Sequence, residues 1–198
     1  MYGVMLFGDS IAFGRGNLPS YSWAILLKQE FEKHNKFNTF YNLAIPGETS
    51  TTLLKRFNTE VKARAAYKRK DDHFHIIISI GMNDCKGINS EAKIQVPKKT
   101  YRKNIKKLVS QALKHTPHIT IIGLTAVDED RTQPYENTFF SNERILEYNE
   151  ILREVALENN LQFIDVFELS PKEIADGVHP NRKGQKKIFK KVHEELHL

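Results

Sequence analysis

Five short apolar runs alternate along the chain with longer stretches of helical spacing, and this alternation restricts the fold more than any other feature. The runs fall at 2–7, "NTFYNLA" (38–44), "HIIISI" (75–80), "HITIIGL" (118–124) and "LQFIDV" (161–166). Within them "IIISI" and "ITIIGL" are apolar almost without a break, as strands covered on both faces are. Between the runs, Trp23, Ala24, Leu27 and Phe31 share one helical face. The same spacing recurs in Leu53, Leu54, Phe57, Val61 and Ala65, in Tyr101, Ile105, Leu108, Val109 and Ala112, and in Ile145, Tyr148, Leu152, Val155 and Ala156. Asn159-Asn160 closes the fourth helix, and a fifth runs from about Arg182 to the C-terminus with Asn181 as its N-cap. Such alternation gives a parallel sheet, and right-handed crossovers put helices on both of its faces. The expected fold is therefore α/β, three-layered and doubly wound, with a strand order that the pattern leaves open. No repeat, linker or low-complexity stretch divides residues 1–198, so one domain is expected.

Composition narrows the class. With 198 residues, 40% of them apolar and 27% charged, the chain has the make-up of a soluble globular protein. No apolar run approaches the ~18 residues of a membrane span, and the N-terminus lacks the pattern of a signal peptide. A cytoplasmic location is the expectation. The lone Cys85 leaves no internal disulfide and no cysteine-based zinc site. A formal net charge of +6 raises the question of nucleic acid. Its basic residues concentrate in "KKTYRKNIKK" (98–107) and "RKGQKKIFKK" (182–191), interleaved with apolar residues at helical spacing. They read as solvated helix faces, and no nucleic-acid partner is expected.

In open parallel sheets, ligands bind beyond the carboxyl ends of the strands. Ser10 follows the first run, Gly47 in "AIPGETS" the second, Asn83 in "GMND" the third, and Asp176 and His179 in "ADGVHPN" the fifth. The stretch "LFGDSIAFGRG" (6–16) has three readings: a tight turn, a phosphate-cradling loop or a presented nucleophile. The spacing of Gly8, Gly14 and Gly16 fits neither the dinucleotide nor the nucleoside triphosphate pattern. In "DGVHPN", Pro180 disfavours helix at His179, and Asp176 lies three residues before it. A carboxylate there would hold one imidazole nitrogen as N–H and free the other to take a proton. Taken alone, the segment reads first as a helix-entry turn in which Asp176 caps local amides.

Together and in order, "GDS", the glycine of "NLAIPGETS", "GMND" and "DGVHPN" resemble the four motif blocks of the SGNH/GDSL hydrolase family. The resemblance spans nearly the whole chain. It implies a flavodoxin-like three-layer sandwich, a five-stranded parallel sheet in the order 2-1-3-4-5, and carboxylic ester hydrolysis of the esterase/lipase type. It also implies Ser10 as nucleophile, Asp176 and His179 as its relay, and Gly47 and Asn83 as oxyanion donors beside the Ser10 N–H. Such a reaction passes through an acyl-enzyme and calls for no metal or organic cofactor. The expected partner is a small ester, acetyl or short-acyl first, with lysophospholipids, thioesters and acetylated sugars open. Acyl transfer to an alcohol uses the same residues, and a binding module that lost turnover would keep the same fold. The intact set of Ser10, Asp176 and His179 argues against the binding module.

Other polar residues take lesser roles. Asp9 is expected to shape the turn, Asp84 to hold the Asn83 loop, and Asn42 to do the same near Gly47. His73 and His75 point to one face of a strand but lack a third ligand nearby, so they read as surface or packing residues. Cys85 reads as a buried small hydrophobe. The polar segment "DEDRTQPYENTFFSN" (128–142) carries Tyr135, Phe139 and Phe140. These three are candidates to wall a substrate pocket, or equally to pack beneath a surface loop.

Overall fold

A computed structural model of the chain describes residues 2–16, 21–66 and 72–196. The chain begins with β1 (Tyr2–Gly8), a short α1 (Ser10–Phe13), α2 (Trp23–Lys33), β2 (Thr39–Asn42) and α3 (Ser50–Ala65). It continues through β3 (His73–Ser79), a short α4 (Met82–Cys85), a two-residue β4 (Gly87–Ile88), α5 (Lys98–Ala112) and β5 (Ile119–Ile122). A two-residue β6 (Thr138–Phe139), α6 (Asn142–Glu158), β7 (Gln162–Ile164) and α7 (Arg182–Glu195) complete it. Residues 197 and 198, at the end of the expected last helix, lie outside the described residues.

The five main strands are all parallel, in the order β2-β1-β3-β5-β7, which is 2-1-3-4-5 once the two short strands are set aside. Val4 to Phe7 of β1 and Ile76 to Ile78 of β3 are fully buried, because helices cover both faces of these central strands. On one face α5 packs between α3 and α6; on the other, α2 packs against α7. Side-chain caps fix where the helices start. Ser22 Oγ accepts from Ile25 N, Thr49 and Thr52 form a reciprocal capping box, and Asn181 accepts from Lys183 N and Gly184 N. Among the described residues no helix is long and apolar enough to cross a membrane.

Register places the site. Leu6 pairs with Asn42 on one side and Ile77 on the other, and Gly8 pairs with Ser79. The segments that leave β1, β2 and β3 therefore emerge side by side, carrying Ser10, Gly47 and Asn83. Beyond the ladders the extended chain keeps its hydrogen bonds: Ile45 N donates to Gly8 O at 3.0 Å and Ala126 N to Phe167 O at 3.1 Å. The β2, β5 and β7 ladders are consequently shorter than their apolar runs. The short elements α1, α4, β4 and β6 carry no period to read. β4 and β6 form a separate antiparallel pair.

Candidate active site

Ser10 does not sit on a simple bend but opens a helical turn. Asp9 is the N-cap of α1, its carboxylate accepting from Ile11 N at 3.0 Å, and Ser10 is the first helical residue. The Ser10 N–H is thus a first-turn donor with no partner inside its helix. The buried Gln185 of α7 fastens this turn: its amide donates to Ile11 O at 3.1 Å and accepts from Trp23 N at 2.9 Å. Sequence reasoning passed over Gln185. Its signal was a polar residue in line with Ile188 and Val192 on the apolar face of α7.

After β7 the chain returns across the sheet edge, held by Asp128 N donating to Gly177 O at 2.9 Å. His179 Nε2 then lies 2.9 Å from Ser10 Oγ, with both residues buried. Asp176 performs both of the tasks its spacing allowed. Its Oδ1 accepts from Val178 N (3.0 Å) and His179 N (2.8 Å), while Oδ2 lies 2.7 Å from His179 Nδ1. A carboxylate oxygen facing Nδ1 places the imidazole hydrogen there and leaves Nε2 to accept from Ser10. Burial alone would raise the Asp176 carboxyl. Hydrogen bonds from the His179 ring and backbone, with the histidine's charge, outweigh it and hold the group far below the usual carboxylate range.

On the opposite side, Ile45-Pro46-Gly47-Glu48 forms a type II turn closed by Glu48 N donating to Ile45 O at 3.1 Å. Gly47 sits at φ +81, and a Cβ there would meet no atom within 4 Å. The backbone, not the available space, calls for glycine. Arg56 supports the turn from below, pairing with the buried Glu48 (Nε to Oε1 2.8 Å) and donating to Leu43 O at 2.6 Å. Asn83 reaches the same turn, its Nδ2 donating to Glu48 O at 3.1 Å while Oδ1 accepts from Lys86 Nζ at 3.0 Å. Asp84 accepts from Ser50 N and Ser50 Oγ, tying α4 to the first turn of α3. Asn42 accepts from Ala44 N (3.1 Å) on the segment that leads into the Gly47 turn, and it also donates to Ala12 O (3.2 Å), bracing α1.

Segment 128–142 runs between these two halves. Arg131 donates to Ala175 O (2.9 Å) and Ile174 O (3.2 Å), and Tyr135 Oη donates to Asp176 Oδ2 at 3.0 Å. Burial, followed by this bond to a carboxylate, raises the Tyr135 phenol. Phe139 pairs with Gly87 in the β4–β6 ladder. Phe140 takes the packing alternative: at 4% exposure it belongs to the core, with its ring edge-on to Tyr135. The three candidates therefore separate into a support of Asp176, a strand residue and a core residue.

Two acids lie buried beneath the site. Burial pushes Asp9 up to about 6 against the hydrogen bond from Ile11 N, and pushes Asp84 up to about 6 against its bonds from Ser50. Cys85 is buried, and burial raises its thiol well above the ordinary value. At the far end of the sheet His75 is buried, its Nε2 2.8 Å from Thr120 Oγ1, and burial pulls it down to about 4. His73 is exposed. Among the described residues no group of three or more His, Cys, Asp or Glu side chains could hold a metal ion.

The GDSL-like Lipase/Acylhydrolase family matches residues 6–187. Among solved structures, the chain is similar to the lipase/acylhydrolase from Enterococcus faecalis, with TM-score 0.76 and 24% identity over 99% of this chain and 95% of that one. It is also similar to a member of the lipolytic protein G-D-S-L family from Veillonella parvula, with TM-score 0.71 and 22% identity over 99% and 98% of the two chains. An acetylxylan esterase from Geobacillus stearothermophilus gives TM-score 0.73 and 18% identity over 99% and 94%. At these identities the likeness concerns the fold. No curated protein matches the chain in sequence. Over nearly its whole length, then, the chain belongs to the GDSL-like lipase/acylhydrolase family and is a carboxylic ester hydrolase.

Proposed function

We propose that the chain hydrolyses acetyl and other short-acyl esters through a Ser10 acyl-enzyme, with His179 as base and Asp176 as its support. The observation that carries this reading is the continuous line of contacts from Ser10 Oγ to His179 Nε2 (2.9 Å) and from His179 Nδ1 to Asp176 Oδ2 (2.7 Å). A serine hydroxyl is a weak nucleophile at neutral pH and requires such a base. As Oγ bonds to the ester carbonyl carbon, its proton passes to Nε2 and the carbonyl electron pair moves onto oxygen. The Ser10 and Gly47 N–H groups and the Asn83 amide receive that oxyanion. Collapse breaks the bond to the alcohol, which takes the proton from His179. Water repeats the sequence on the acyl-enzyme: His179 accepts its proton, the acid departs, and the proton returns to Ser10.

The preference for acetyl groups draws support from the likeness to an acetylxylan esterase. Turnover of p-nitrophenyl esters from acetate to palmitate, beside acetylated saccharides, tests it; a maximum at long chains would overturn the short-acyl preference. For the relay, Ser10→Ala is expected to fold, to lose essentially all hydrolysis and to resist a fluorophosphonate probe that labels the wild type. Activity surviving in Ser10→Ala would remove serine from the role of nucleophile.

A further inference from the structure

Lys86 stands directly behind Asn83 and is absent from every motif that located the site. Its ammonium donates to Asn83 Oδ1 at 3.0 Å, while Asn83 Nδ2 donates to Glu48 O at 3.1 Å. An ammonium only donates and a carbonyl only accepts, so these partners fix which end of the amide is oxygen and which is nitrogen. One Nδ2 hydrogen goes to Glu48 and the other is left for a substrate oxygen. The surroundings make a cation valuable here. Asp9, Glu48 and Asp84 are all buried around the site, and negative charge among them opposes a developing oxyanion. Arg56 is paired with Glu48, whereas the Lys86 ammonium is directed at the amide. Burial pulls the Lys86 ammonium below its ordinary value, while Asp9, Asp84 and Glu136 favour its charged form.

We infer that Lys86 is a positioning residue of the oxyanion site: its ammonium locks the Asn83 amide with nitrogen toward the reacting oxygen and, by drawing electron density onto Oδ1, strengthens the Nδ2–H donor. The inference rests on Asn83 being an oxyanion donor, as proposed above. A charge-assisted bond to the amide oxygen acts in both ways, since hydrogen bonds in series polarise one another in a site of low dielectric. Because Lys86 works through the amide, its removal should cost less than the loss of the donor itself.

The test uses Lys86→Met, which keeps the stem and removes the charge, and Lys86→Arg, which keeps the charge. Both are assayed on p-nitrophenyl acetate and against phenylboronic acid, whose boron bonds Ser10 Oγ and becomes a tetrahedral anion. Lys86→Met is expected to lower kcat by about 10-fold, against about 10²–10³-fold for Asn83→Ala, with KM changed by less than about twofold. Boronate affinity should weaken by a similar factor, about 10-fold, and Lys86→Arg should recover most of both losses. Added to Asn83→Ala, Lys86→Met should cost almost nothing more. Unchanged kcat and boronate affinity in Lys86→Met would overturn the inference. A loss confined to KM would make Lys86 a substrate contact, and a full additional loss beside Asn83→Ala would detach it from the amide; either result also overturns it. Should Asn83→Ala fail to fold by circular dichroism, the two lysine variants still decide. Failure of the underlying reading looks different: Asn83→Ala itself would keep its kcat and its boronate affinity.

Discussion

Asp176 accepts from Val178 N, His179 N, His179 Nδ1 and Tyr135 Oη, and this saturation decides what a substitution does there. An amide in its place keeps one accepting oxygen. Asp176→Asn can satisfy the two backbone donors only by turning its N–H₂ toward the ring, which drives the imidazole hydrogen from Nδ1 to Nε2. Nε2 then has no lone pair for the Ser10 proton. The expected result is a fall in kcat of about 10³–10⁴-fold with the fold intact. Tyr135→Phe removes one donor of four and leaves the tautomer alone, so about a 3- to 10-fold loss is expected there. Measuring kcat for both variants on one activated ester checks the order; equal losses would mean that Tyr135 is as essential as the carboxylate. Locality let the sequence put Asp176 within reach of His179, three residues apart with a proline after it, but alone that segment read first as a capping turn, and the relay role came from the resemblance. Tyr135 and Asp176 are 41 residues apart, and Tyr135 appeared only as an aromatic on a loop. Contacts of that kind exist only once the sheet has brought β5 and β7 together.

Elements long enough to repeat a period were legible. Tyr101, Ile105, Leu108, Val109 and Ala112 of α5 are all buried, as their spacing required, and the nearly unbroken apolarity of "IIISI" at β3 and "ITIIGL" at β5 matched strands covered on both faces. The four elements that went unread, α1, α4, β4 and β6, have four residues or two. Ser10 and Asn83 lie in the first two, so the chemistry sits where periodicity is silent and only the motif blocks speak. Gly47 tests the turn between β2 and α3. Alanine there meets no steric obstacle, so Gly47→Ala suffers only the cost of the left-handed backbone, about 1–2 kcal/mol. Relief of that strain would rotate the Gly47 N–H away from its place. A melting temperature lower by a few degrees, together with a clear loss of kcat, is the expected pair of results. A melting shift with kcat unchanged would leave Gly47 as a turn residue and nothing more.

Across the whole molecule, charge is arranged in two opposed ways. On the surface Lys98, Arg102 and Lys106 of α5 face Glu147, Glu154 and Glu158 of α6, forming exposed ion pairs that each contribute little. Composition revealed the net +6 but not the acids inside, since the burial of Asp9 depends on β1 lying between β2 and β3 inside the sheet. That buried carboxylate sets a pH dependence on folding. Below about pH 3.8 Asp9 is protonated in the folded and the unfolded chain alike, and its titration costs nothing. As the pH rises from 3.8 toward about 6, the unfolded chain releases the proton while the fold retains it, so stability falls. Above about 6 both states are ionised, and the difference from 3.8 corresponds to about 3 kcal/mol of lost stability. Asp9→Asn keeps an oxygen to cap Ile11 N and removes the charge. Its amide hydrogens still need acceptors, so a gain of about 2 kcal/mol, or about 4–8 °C in melting temperature, is expected at pH 8. At pH 3.5 the gain should vanish. Thermal unfolding of wild type and variant at half-unit steps from pH 3.5 to 8 makes the comparison. A variant whose stability declined with pH as steeply as the wild type's would move the buried charge from Asp9 to Asp84.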